Sequence, residues 1–90
     1  MLTVTENARH ELKRILEADT DDPEISLRLT SDESGHLGLV ADQPREDDHV
    51  VEHEGHRVLV VSETLGRVVD GMTIDCQETE KGGQLVVFRE

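Results

Sequence analysis

Ninety residues carrying 21 Asp and Glu against nine Lys and Arg make one small domain, residues 1–90, with a formal net charge of −12. That charge excludes nucleic acid and anionic membrane surfaces as partners, because both are held by clustered Lys and Arg. A single cysteine excludes an internal disulfide, and with Phe88 the sole aromatic the core must be built from Val, Leu and Ile.

Leu2 and Val4 alternate with Thr3 and Thr5, which predicts a short opening strand. Thr5 then caps a helix whose apolar stripe is Ala8, Leu12, Ile15 and Leu16, with Arg9, Glu11, Lys13, Arg14 and Glu17 off the stripe. The helix is predicted to end near Ala18, before the acidic turn Asp19–Pro23. Ile25, Leu27 and Leu29 alternate with Ser26, Arg28 and Thr30, the pattern of a half-buried strand. Thr30–His36 reads as a polar loop, Leu37–Ala41 as a second strand, and Asp42–Asp48 as a charged turn around Pro44.

His49–Val61 predicts a hairpin turned at Glu54-Gly55, with His53 opposite His56 and Val51 opposite Val58. Ser62 caps a helical turn running through Val69, and Asp70-Gly71 forms a turn. Met72–Glu78 is a strand with Ile74 and Cys76 on one face; Glu80–Gly83 turns into the last strand, Gln84–Arg89. One N-terminal helix followed by many short strands predicts a mainly β, α+β domain: a two-sheet sandwich or flattened barrel with the helix as cover. No apolar run nears the ~20 residues of a membrane span, and Met1–Ala18 interleaves its apolar residues with charge, unlike a signal peptide. A cytoplasmic protein is the expectation.

This succession resembles the HesB-like domain of the A-type, IscA-like iron–sulfur cluster carriers. The likeness is carried by Leu2-Thr3-Val4-Thr5 with the Leu12/Ile15/Leu16 stripe, by Ile25–Leu29, Ser34-Gly35 and Asp42–Asp48, by Val58-Leu59-Val60 with Ser62-Glu63-Thr64-Leu65, and by Asp70–Asp75. The resemblance implies a HesB-like fold, a place in iron–sulfur cluster assembly and self-association into a homo-oligomer. It also implies three cysteine ligands, which this sequence does not have. Glu33 stands where the family has a cysteine before its Ser-Gly pair, residues 1–90 contain no Cys-Gly-Cys, and Cys76 lies where the family places no ligand.

Thiolates are the soft ligands an iron–sulfur cluster takes, normally four of them. A shared cluster would draw two from a pair of chains, so Cys76 is expected to be a small buried hydrophobe instead. Oxygen and imidazole donors suit a harder ion, and Asp32, Glu33 and His36 lie in the loop where the family holds its cluster. They are the candidate ligands for iron or another divalent metal, against the plainer account of an exposed acidic loop. His53 and His56, facing across the hairpin turn, are a second candidate pair; the alternative is a solvated tip. His49, about 13 Å along the strand from His53, is too far to share their ion.

No paired catalytic groups, cofactor loop or triad spacing appears, so no enzyme is expected. The first reading is a non-enzymatic, cysteine-depleted relative of the A-type carriers, with no cofactor held in the usual way. The second is an acidic binding or regulatory module that kept the scaffold and meets a basic protein partner. The plainer account of the acid excess is solubility, with seven Arg and two Lys suiting a salt-rich cytoplasm.

Overall fold

The structure, a computed structural model, describes residues 2–89. In chain order its elements are β1 (Thr3–Val4), α1 (Glu6–Asp19), β2 (Ser26–Ser31), β3 (Leu37–Asp42), β4 (His49–His53), β5 (His56–Val61), α2 (Glu63–Val68), β6 (Met72–Thr79) and β7 (Gly82–Arg89). They form two sheets, β1-β6-β7 and β3-β2-β5-β4. The hairpins β2/β3, β4/β5 and β6/β7 are antiparallel, whereas β1 runs parallel to β6 and β2 parallel to β5. The mainly β architecture with an N-terminal covering helix is as the sequence predicts.

Helix α1 starts where Thr5 accepts from the Ala8 amide at 3.2 Å. The same hydroxyl donates to Asp75 Oδ1 at 2.6 Å, and the Thr5 amide reaches the Ile74 carbonyl at 3.0 Å. One residue therefore fixes both the helix start and its seat on β6. The helix packs against β4, β5 and β6, so it spans both sheets. Its Ala8, Leu12 and Leu16 join Leu27, Leu29, Val58, Leu59, Val61, Val69 and Ile74 in one apolar core. Glu11, expected off the stripe, is buried with it. It lies three residues after Ala8 and four before Ile15, which places it on the same helical face.

Strand β2 differs from the expected half-buried pattern. Ser26 and Arg28 are buried along with Leu27 and Leu29, because β2 lies between β3 and β5 and is covered on both faces. Arg28 tolerates this through a dense set of acceptors. Its Nε donates to Asp42 Oδ2 at 2.8 Å, its Nη1 and Nη2 to the two Asp48 oxygens at 2.9 and 2.6 Å, and Nη2 also to the Gln43 carbonyl at 3.2 Å. The Arg45 amide adds a bond to Asp48 Oδ2 at 2.6 Å. The charged turn is thereby wrapped around a buried cation.

The β4/β5 hairpin turns at Glu54 and Gly55, both with positive φ (52° and 81°), the geometry of a two-residue hairpin turn. His53 pairs with His56 as expected, but Val51 pairs with Leu59 rather than Val58. The register shifts between Val51 and Glu52, which leaves Val58 as the extra residue of a bulge. Val58 and Leu59 are both fully buried, which strict alternation would forbid and the bulge allows.

The Asp48 side chain is 1% exposed, so removing it strands a buried guanidinium. Asp48→Ala is expected to cost about 3 kcal/mol in urea unfolding at neutral pH. Arg28 holds the Asp48 carboxyl below the ordinary carboxylate range, mainly by direct hydrogen bonding. A depressed folded pKa contributes stability above the unfolded value of about 3.9 that is lost as pH falls through the folded value. The gap between wild type and Asp48→Ala should therefore be full at pH 6 and close below about pH 4.

Candidate functional site

The loop between β2 and β3 is closed by its own backbone. The Asp32 amide donates to the His36 carbonyl at 3.0 Å, the Gly35 amide to the Asp32 carbonyl at 3.0 Å, and Gly35 has the positive φ (84°) that such a turn requires. Asp32 Oδ1 accepts from the amides of Ser34 and His36, both at 2.9 Å, and Asp32 Oδ2 lies 3.4 Å from His36 Nδ1. Asp32 and His36 thus come together, with the carboxylate already committed to the turn. Glu33 sits at the exposed tip and does not close on them as a third donor.

The hairpin tip is organised differently from the expected His53–His56 pair. His53, with its side chain 10% exposed, meets the His10 ring edge-on, centroids 6.0 Å apart at 76°, while His56 stays exposed. Glu54 Oε1 lies 3.6 Å from His53 Nε2, and Glu54 Oε2 receives Lys13 Nζ at 3.4 Å. Lys13 holds the Glu54 carboxyl below its ordinary range by hydrogen bonding. His10 and Lys13 lie three apart on α1, so the helix and the hairpin tip are joined by one polar contact. The sequence marks the spacing of His10 and Lys13; that they meet the hairpin follows only once α1 is known to lie over β4. His49 is turned away: the β-carbon that Gly66 lacks would lie 3.2 Å from its ring.

Cys76 on β6 is half-buried beside Ile74, on the face expected for it, though less enclosed than a core residue. Its neighbour is the buried Glu11, which is 7% exposed. A β-carbon on Gly83 would lie 2.5 Å from Glu11 Oε2 and 3.0 Å from Cys76 Sγ, so a side chain there would have to displace the Glu11 carboxylate. Arg14 pairs with Glu11 Oε1 from the solvent side. Burial, followed by the negative charge of Glu11 and Glu78, pushes the Cys76 thiol above its ordinary pKa. A protonated thiol is a poor nucleophile and a poor metal ligand.

An open groove of about 780 Å³ runs between β4 and α2. Leu2, Val50, Val51 and Val61 line it with Arg9, Glu52, Glu63 and Arg67. His49 also lines it, and no Phe, Tyr or Trp does. Among the described residues, no group of three His, Cys, Asp or Glu side chains is placed to hold a metal ion.

Two mixed sheets with a helix laid across them, three hairpins and an acidic loop at the β2/β3 tip agree with the HesB-like fold that the sequence resemblance implies. The model of the iron–sulphur cluster biosynthesis family matches residues 1–88, and the chain belongs to that family. It is 33% identical over 91 aligned positions to the iron–sulfur cluster insertion protein ErpA of Marinobacter nauticus, covering 96% of this chain and 81% of the relative. Escherichia coli SufA, a protein involved in biosynthesis of iron–sulfur clusters, superposes with a TM-score of 0.69 at 23% identity, over 98% of this chain and 84% of that one. IscA solved with a 2Fe–2S cluster gives a TM-score of 0.65 at 17% identity, over 99% and 85% of the two chains.

The residues of this chain do not fit the usual ligand set of a cluster. One thiol, held protonated beside a carboxylate, falls short of the four thiolates a cluster normally takes. Cys76 is expected to react slowly with a thiol-specific disulfide reagent at pH 7.5. Glu11→Gln removes the nearest negative charge without changing shape and should raise the rate severalfold by lowering the thiol pKa. An unchanged rate would mean that Glu11 does not set the thiol's state.

Proposed function

We propose that this chain is a non-enzymatic member of the iron–sulfur cluster biosynthesis family, acting in the cytoplasm without carrying a cluster on the family's thiolates. The observation that supports this reading most directly is the state of its single thiol. Cys76 is half-buried in β6, faced by Glu11 and held neutral, while the loop position of a family ligand carries Glu33. Any metal contact in this reading is with a hard divalent ion such as iron, through Asp32, Glu33 and His36 or, at the hairpin tip, through His53 and His56. The loop would have to rearrange for this, because the Asp32 carboxylate is spent on two backbone amides.

The test is anaerobic reconstitution with iron and sulfide, followed by metal and sulfide analysis and an absorption spectrum. The expected result is no stoichiometric sulfide. Iron bound without sulfide, and lost in a Glu33→Gln/His36→Ala variant, would identify the loop as its ligand. Stoichiometric iron with sulfide would overturn the reading and make Cys76 a ligand shared between chains.

A second reading is favoured by the distribution of charge. Lys13, Arg14, Arg28, Arg45 and Arg67 all lie in ion pairs within the chain, and Arg9 and Arg89 donate to backbone carbonyls. The net charge of −12 remains once these pairs are made, and it suits a basic protein partner drawn in by the long-range field. Such binding is expected to weaken steeply between 0.1 and 0.5 M salt, as screening shortens. Affinity independent of salt in a titration would count against it.

A further inference from the structure

The groove of about 780 Å³ runs along β4, and His49, Val50, Val51 and Glu52 all line it. Successive residues of a strand point to opposite faces, so a wall made of four in a row is the side of the strand and not one of its faces. That side is the outer edge of the four-stranded sheet, and among the described residues no strand pairs with it. The facing wall is α2, through Glu63, Gly66 and Arg67. A slot between an edge strand and a helix is a geometry that takes an extended peptide as an added strand.

The backbone of β4 suits that role. The Glu52 carbonyl accepts from Arg9 Nη1 at 3.2 Å, so it faces the outer edge. Backbone orientation in an antiparallel strand repeats every second residue, so the N–H and C=O of Val50 face the same way. His49, Val50 and Val51 pair regularly with Val61, Val60 and Leu59, and the register shifts only after Val51. The open stretch is therefore His49–Val51, about 10 Å of strand, with Arg9 closing its far end. At the near end the helix lies against the strand: a β-carbon on Gly66 would lie 3.2 Å from His49 Cδ2, so a side chain there would displace the ring or the helix. Leu2, Val51 and Val61 give the groove an apolar floor.

Charge selects the occupant. Exposed acids flank the open stretch, Glu46 and Asp47 just before β4 and Glu52 and Glu54 at its end. The two arginines of the lining are already engaged, Arg67 with Glu63 at 2.8 Å and Arg9 with the carbonyls of Val4 and Glu52. A second copy of the chain would set a charge of −12 against −12. A basic segment meets no such opposition.

We infer that this groove binds an extended basic segment of a partner protein, added beside β4 as a fifth strand of its sheet. Alternate apolar side chains of the segment lie over Val51 and Val61, and the intervening Lys or Arg reach the acids at the two ends. The inference gives the basic partner proposed above a docking site, and it rests on that reading.

The probe is a blocked heptapeptide of alternating lysine and valine, titrated into the isotopically labelled chain at 0.1 M sodium chloride and followed by amide NMR shifts. Two further forms, N-methylated at the valines or at the lysines, keep charge and side chains but lose the donors along one edge of the peptide. The expected result is a Kd below about 1 mM, with the largest shifts at His49–Val51 and Gly66. At least one N-methylated form should bind about tenfold more weakly or worse. Glu52→Lys and, separately, Val50→Lys should each weaken binding at least about fivefold. Both positions are exposed, and circular dichroism checks that each variant is folded. Binding that neither N-methylated form nor either variant weakens, or shifts confined to other faces, would overturn the docking site and leave the basic-partner reading standing. No binding up to about 2 mM peptide would count against both. Shifts at the same amides on raising the protein concentration alone would make a second copy the occupant and overturn the inference too.

Discussion

Arg28 is the cation around which the four-stranded sheet is closed. It stands in the middle of β2, between two neighbouring strands, with almost no access to water. A guanidinium there is tolerable only if its donors are filled, and the planar fork meets Asp48 with two bonds, Asp42 with one and the Gln43 carbonyl with another. Asp42 ends β3, and Asp48 immediately precedes β4. One side chain thus ties the central strand to the segment joining the two outer strands of its sheet. The arrangement carries a desolvation cost, so its contribution is to fix a single geometry rather than to add much net stability.

The same arithmetic governs the surface. With 21 acids and nine bases the chain keeps its net charge of −12 whatever ion pairs form, since each pair cancels one acid with one base. Glu11 and Arg14 show it at small scale: the arginine stays at the solvent edge and neutralises a carboxylate that the helix has buried against β6 and β7.

Alternation and turn chemistry made most of the fold legible. Thr5 and Ser62 mark the two helix starts, Glu54-Gly55 the hairpin, and the Leu27/Leu29 and Ile74 positions the buried faces. What escaped the sequence were features that depend on what covers an element. Ser26 and Arg28 read as a solvated face because alternation reports only that one face is apolar; the charged turn of residues 42–48 folds over Arg28 and covers that side of β2. The bulge at Val58 could not be seen, since a run of four apolar residues, Val58–Val61, fits either register. Of the candidate site residues, Asp32 and His36 do meet, through local turn chemistry. His53 instead turns toward His10, a contact set by helix packing and invisible to spacing along the chain.

The loss of thiolates also alters the oxygen chemistry left behind. A cysteine in the β2/β3 loop would offer a soft, deformable ligand that leaves the turn's backbone to bond itself. With Glu33 in that position the loop has a hard donor at its tip, but the companion carboxylate of Asp32 is already holding the amides of Ser34 and His36. Binding an ion there would compete with the bonds that keep the turn closed, so affinity would be set against local order. On β6, burial and the charges of Glu11 and Glu78 push the remaining thiol above its ordinary pKa. Both departures weaken ligation while leaving the packing intact.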